Sequence, residues 1–154
     1  MATDYPRTTA HIAGHPIHPM LVPFPIVLFV AAFATDIGYW RSGGETWVMA
    51  SQWLLAGGLA FAVLAALAGL VEFAGDRRIR RLDDAWWHAG ANVAVVVAEA
   101  ANLVLRLERG PEFVLPVGLA ISAGATALLL FSGWKGGALV YRYRVGIRHN
   151  DEKL

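Results

Sequence analysis

Four long apolar runs constrain this chain more than any other feature: roughly Met20 to Trp40, Trp47 to Ala74, Trp86 to Leu107 and Phe113 to Trp134. Crossing ~30 Å of hydrocarbon takes about 20 residues of helix, and each run is long enough. Inside a bilayer the main chain must satisfy its own hydrogen bonds, which a single segment achieves only as a helix. The predicted fold class is therefore all-α, an integral membrane four-helix bundle. Composition agrees: 56% of the 154 residues are apolar and 16% are charged, and the mean hydropathy is +0.48. A water-soluble domain of this size needs more polar surface to cover its core. The net charge of +1 gives no footprint for nucleic acid, and the absence of cysteine excludes disulfides, iron–sulfur ligation and covalent c-type haem. Three regions follow: a His- and Pro-rich segment over 1–19, a four-span domain over 20–134 and a basic tail over 135–154. The first span is expected to stay in the protein, because Asp36-Ile-Gly-Tyr-Trp40 stands where a signal-peptide cleavage site would be.

Lys and Arg are retained on the cytoplasmic side of a membrane. Arg77, Arg78, Arg80 and Arg81 fall in the second connection; Arg7 lies in the N-terminal segment, and Lys135, Arg142, Arg144, Arg148 and Lys153 at the C-terminal end. Against them stand Arg41, Arg106 and Arg109. Both termini are thus predicted to be cytoplasmic, in a bacterial inner membrane. Small residues at four-residue spacing, Gly58, Ala62 and Ala66 in the second span and Gly118, Ser122 and Thr126 in the fourth, allow close helix approach. No repeat is visible between the first and second helix pairs, so inverted-repeat transporter architecture has no support.

Polar residues are few enough to weigh singly. Under this topology His15, His18 and His88 share one depth near the cytoplasmic boundary, and Glu72 lies close by. Imidazole nitrogen suits a metal ion or haem iron, with Glu72 as an oxygen ligand to a metal. The plainer alternative is that interfacial histidines simply meet water. A metal shared by His18 and His88 needs their nitrogens roughly 3 to 4 Å apart; haem needs about 4 Å across the iron and a flat apolar slot. Pro16, Pro19, Pro23 and Pro25 suggest that regular helix begins only around Pro23 or Pro25, leaving His18 outside it.

In the third span, projection at about 100° per residue puts His88, Asn92, Glu99, Asn102 and Arg106 in one stripe about 80° wide. Val93, Val97, Ala100 and Val104 occupy the opposite, lipid-facing side. Glu99 must face the bundle interior, its charge paired or suppressed, as a functional group or as interhelical adhesive. Asp36 lies about 24 Å along the first span from Met20, and Arg106 about 27 Å from His88. An Asp36–Arg106 ion pair at the outer rim is expected, in a structural role.

Gly14-His-Pro-Ile-His-Pro-Met-Leu-Val22, Phe24-Pro-Ile26, Thr35-Asp36, His88 with Asn92, and Gly133-Trp-Lys-Gly-Gly-Ala-Leu-Val-Tyr141 together resemble the prokaryotic membrane family called domain of unknown function 2231. The resemblance runs from about Gly14 to Gly146. It implies a four-span bacterial membrane domain, sometimes joined to or encoded beside redox proteins. Many relatives carry His before Phe-Pro-Ile, where this chain has Pro23, so a site that used that His lacks one ligand here.

The leading functional reading is a small redox-associated protein that binds b-type haem or a divalent metal ion through His18 and His88, with His15 or Glu72 adjacent. A redox protein or a second copy of the chain is the partner such a site implies, besides the lipid bilayer. The second reading is a non-catalytic integral subunit or scaffold of a membrane complex. The third is a proton or small-solute pathway along Glu99, Asn92 and His88. No nucleophile–base pair, phosphate loop or nucleotide fingerprint appears, which argues against a hydrolase or a kinase.

Overall fold

The computed structural model describes residues 11–12 and 15–147. Arg7, Gly14, Arg148 and Lys153 lie outside the described residues. A two-residue antiparallel pairing, β1 (His11–Ile12) with β2 (His15–Pro16), leads into a short helix α1 (Ile17–Leu21) and then α2 (Pro23–Ser42). After a tight turn comes α3 (Glu45–Gly75), followed by a 3-10 turn over Ile79–Arg81, α4 (Asp83–Arg109), an irregular passage over 111–118 and α5 (Leu119–Tyr141). Four segments are long and apolar enough to cross a membrane: Ile17–Ser42, Glu45–Gly75, Asp83–Arg109 and Pro111–Tyr141.

Helix begins earlier than the prolines suggest. α1 starts at Ile17, so His18 lies within helix rather than outside it. Val22 keeps right-handed helical geometry and donates to the His18 carbonyl at 3.1 Å, which joins α1 to α2. Pro19 falls in the first turn of α1, and Pro23 and Pro25 in the first turn of α2, where a missing N–H costs least. At the far end of the chain, α5 runs to Tyr141, beyond Trp134, where the apolar run stops. Lys135 on this extension pairs with Asp84 of α4 at 2.7 Å, and Gly136 receives the ring of His88.

Glycine ends two of the helices. Gly43 (φ 67°) returns its N–H to the Tyr39 carbonyl at 2.8 Å, and Gly110 (φ 72°) to that of Arg106 at 3.0 Å; a left-handed residue without a Cβ is the least strained stop. The α3–α4 connection is held by its own charges. Asp76 binds Arg78 at 2.8 Å, and Arg80 donates to the carbonyls of Phe73 and Ala74 that α3 leaves unpaired.

The core is Phe29 and Ala32 from α2, Leu55 and Ala62 from α3, Val95 from α4, and Ala125 and Leu129 from α5. Apolar side chains also cover the outside: Trp53, Leu70, Val93, Val97, Leu130 and Trp134 are all exposed. A surface of that kind suits hydrocarbon, not water. Gly58 would place a Cβ 2.6 Å from the Phe29 ring, so the α2–α3 contact requires glycine there. The small-residue stripe of α3 continues from Ala62 to Ala65; Ala66, its expected member, is exposed. The reason is angular, since eight residues from Gly58 drift about 80° around the helix and seven only about 20°.

Candidate functional site

Two polar constellations lie at opposite ends of the bundle interior. The first belongs to the end where α1 and α4 begin. His18 on α1 and His88 on α4 face each other with ring centroids 6.2 Å apart and planes at 89°. Nδ1 of His18 stands 2.8 Å from the Ala65 carbonyl of α3, and Nδ1 of His88 stands 2.9 Å from the Ser132 carbonyl of α5. A carbonyl can only accept, so each ring donates through Nδ1–H, and in the neutral ring Nε2 is then the acceptor. The Nε2 of His88 accepts from the Asn92 side-chain amide at 3.2 Å. Hydroxyl support comes from Ser132, whose Oγ lies 3.0 Å from Nδ1 of His88.

Glycines make room for both rings. A Cβ at Gly69 would come 2.9 Å from Nδ1 of His18, and one at Gly136 would come 3.0 Å from Cε1 of His88. Gly69 and the two carbonyls did not stand out in the sequence, and Gly136 appeared only within the Gly133-Trp-Lys-Gly-Gly motif, because what gives them their role is an imidazole from a different helix. Glu72, two turns beyond Ala65, is buried with Oε1 unpartnered among the described residues. His15 is exposed and sits in β2 opposite Ile12. Among the described residues no three His, Asp or Glu side chains are grouped as metal ligands. An apolar groove lined by Trp86, Trp87, Gly90, Ala91, Leu128 and Phe131 includes neither histidine.

The second constellation surrounds Arg106. Its guanidinium meets Asp36 through two parallel bonds, Nη1 to Oδ1 at 2.6 Å and Nη2 to Oδ2 at 2.7 Å. It also donates from Nε to Asn102 Oδ1 at 2.8 Å, from Nη1 to Ser51 Oγ at 2.7 Å and from Nη2 to Ser122 Oγ at 3.2 Å. Every guanidinium donor is thereby used. Ser122 closes the ring by donating to Asp36 Oδ2 at 2.8 Å. The expected ion pair is present near the ends of α2 and α4, and it is enclosed by the helices: Asp36 and Arg106 are both 0% exposed. Gly118 packs tightly against this group: a Cβ there would lie 3.0 Å from Arg106 Nη2 and 3.2 Å from Asn102 Oδ1.

Glu99 and Asn102 extend this network toward the middle of the bundle. Asn102 Nδ2 donates to Glu99 Oε2 at 2.8 Å and to Ser122 Oγ at 3.1 Å. Glu99 is 0% exposed, as the helical projection requires, while Val93, Val97 and Val104 face outward. Its Oε1 has no partner among the described residues. Ser51 was missed altogether by sequence reasoning, and Ser122 was seen only as a small residue. A hydroxyl on an apolar helix facing an intramembrane charge is the signal that would have found both.

Fold and interior together define a four-helix integral membrane protein with a charged network and a histidine pair inside it. Residues 14–149 match the family described as predicted membrane protein (DUF2231), and the chain belongs to that family. No curated protein and no solved structure matches it.

Proposed function

We propose that this protein binds a divalent transition-metal ion between His18 and His88. The observation that carries the reading is the anchoring of both Nδ1–H groups on helix carbonyls. Metal-ligating histidine characteristically donates its second nitrogen in this way, which fixes the tautomer and aims Nε2. Remaining coordination positions fall to water, and an open position on a borderline-soft ion suits redox or ligand-exchange chemistry. Haem is the alternative occupant. It needs a flat slot beside the ligands, whereas the spaces over Gly69 and Gly136 are taken by the imidazoles themselves. A bare ion therefore fits the pair better.

The basic α3–α4 connection lies at the histidine end, and Arg106, counted from the sequence on the other side, is buried inside the bundle. We place the histidine end and both termini at the cytoplasmic face of a bacterial inner membrane on this asymmetry. A redox protein, or a second copy of the chain, is the partner that such a site calls for. A second reading, a non-catalytic subunit or scaffold, draws support from the Asp36–Arg106 network, whose donors are already satisfied and whose chemistry is adhesive. A proton or small-solute path rests only on the unpartnered Oε1 of Glu99.

Metal content and the absorption spectrum of the detergent-purified full chain test the proposal. The expected result is one equivalent of transition metal, taken up from Co²⁺ or Zn²⁺ if lost in purification, and none in the His18→Ala, His88→Ala double variant. A haem Soret band would replace the ion by haem at the same ligands. Absence of both, or full retention by the double variant, would leave the scaffold reading in front. For orientation, a C-terminal reporter active only in the periplasm would invert the topology.

A further inference from the structure

The two halves of the molecule place their buried residues alike. α2 buries Pro25, Phe29, Ala32 and Asp36; α4 buries Val95, Glu99, Asn102 and Arg106 among others. Each of these α4 residues stands 70 positions after its α2 counterpart, as Arg106 does after Asp36. His18 and His88 keep the same offset. On the returning helices, Leu55, Gly58, Ala62 and Ala65 of α3 and Ser122, Ala125, Leu129 and Ser132 of α5 repeat one order of three- and four-residue steps. The docking of the histidines falls into this scheme. His18 donates to Ala65 and lies over Gly69; His88 donates to Ser132 and lies over Gly136. In each case the glycine is the residue one helical turn beyond the acceptor carbonyl.

Counterparts also meet. His18 touches His88 at one end, and Asp36 binds Arg106 at the other. Equivalent residues can contact each other only near an axis that relates them, so a pseudo-twofold axis runs along the bundle through both constellations. The repeat is parallel, with α2 and α4 pointing the same way. Side-chain chemistry conceals it in the sequence: Asp36 answers Arg106, Phe29 answers Glu99 and Ala32 answers Asn102.

We propose that the site is a pair of equivalent half-sites, one from each helical hairpin, in which Gly69 and Gly136 are matching positioning residues for His18 and His88. This rests on the reading of the two histidines as metal ligands. The ion then lies on the pseudo-twofold axis, held by two Nε2 atoms presented alike. One departure from symmetry has a direct consequence. Asn92 donates to the Nε2 of His88, whereas its counterpart beside His18 is Val22, whose side chain has no donor. Asn92 thus competes with the ion for one ligand atom, and His18 is the readier ligand.

The test uses the full chain in lipid nanodiscs with ¹⁵N-labelled histidine, read by NMR and by Zn²⁺ titration. In the parent protein both rings should show the Nδ1–H form with a bare Nε2. Gly69→Ala should disturb only the His18 signals and Gly136→Ala only those of His88, each lowering Zn²⁺ affinity by a similar factor, about 10- to 100-fold as for other outer-shell changes. Gly90→Ala and Gly124→Ala, where a Cβ meets nothing within 4 Å, serve as controls. Asn92→Val should raise Zn²⁺ affinity, by roughly 2- to 10-fold for one hydrogen bond removed. If an alanine variant does not fold, the parent tautomers and Asn92→Val still decide. Rings in different tautomers, or glycine variants that disturb neither ring, would overturn the paired half-sites. If the nitrogen signatures follow the expected pattern but no Zn²⁺ binds, the half-sites stand and the metal reading falls.

Discussion

The two ends of the bundle interior use polar residues in opposite ways. Around Arg106 every donor of the guanidinium has an acceptor, and both charged partners are shut away from solvent and lipid. At the histidine end the rings are half-buried, each Nδ1 meets a helix carbonyl, and the Nε2 of His88 meets only the Asn92 amide. A saturated network has no capacity left for a ligand. Two histidines that each make one bond to a carbonyl contribute less to stability. Within a single pseudo-symmetric frame, then, one end fastens the helices, and the other is the end to which the metal proposal assigns binding.

The contrast breaks most easily at the ion pair. Asp36→Leu or Arg106→Leu leaves the opposite charge buried alone, and the expected loss is about 3–5 kcal/mol. The double leucine variant should recover most of that, because the uncompensated charge is gone. Unfolding of the detergent-solubilised protein by a denaturing surfactant measures both. If the single variants are as stable as the parent, the network does not fasten the bundle. Metal affinity at the histidines, about 27 Å along the helix by its rise per residue, should change little.

Glu99 tests a smaller effect at the margin of the fastening network. Glu99→Gln keeps an acceptor for Asn102 and should be tolerated, while Glu99→Leu should cost about 0.6 to 2 kcal/mol, the range for an interhelical or intramembrane hydrogen bond. Equal behaviour of the two variants would make the side chain incidental. Gln as damaging as Leu to any transport activity, with stability intact, would favour the proton path. The smallest stability change is expected at the ligand end. His18→Ala should cost about 1 kcal/mol, one hydrogen bond's worth, while removing one of the two ligands and so weakening metal binding; a large loss of stability with binding unchanged would reverse the roles assigned to the two ends.

Much of this frame was legible in the chain itself. Apolar run length determines the four spans, and the angular position of Glu99, Asn102 and Arg106 places them inward, because lipid tolerates no other arrangement. Helical rise brought Asp36 level with Arg106. What escaped was context that spans helices. Nothing local marks Ser51 as the hydroxyl that completes an arginine's shell, or Gly69 as a seat for an imidazole from another segment. Burial of the ion pair was not foreseen, because position along a helix says nothing of what packs around a side chain, here Gly118 and the hydroxyls of Ser51 and Ser122. The parallel repeat was hidden for a further reason: it is preserved in spacing and burial, while the residues filling its positions differ in charge and size.

Copper(II) as a paramagnetic probe addresses the central claim most directly. One equivalent of Cu²⁺ is added to the full chain in nanodiscs, and electron paramagnetic resonance reads the nitrogens coupled to the metal. Two imidazole nitrogens are predicted in the parent protein, one in His18→Ala and one in His88→Ala, with the spectrum of the Asp36→Leu, Arg106→Leu variant unchanged from the parent. A parent spectrum without coupled imidazole nitrogen, or one that the His18→Ala, His88→Ala double variant reproduces, would contradict the account.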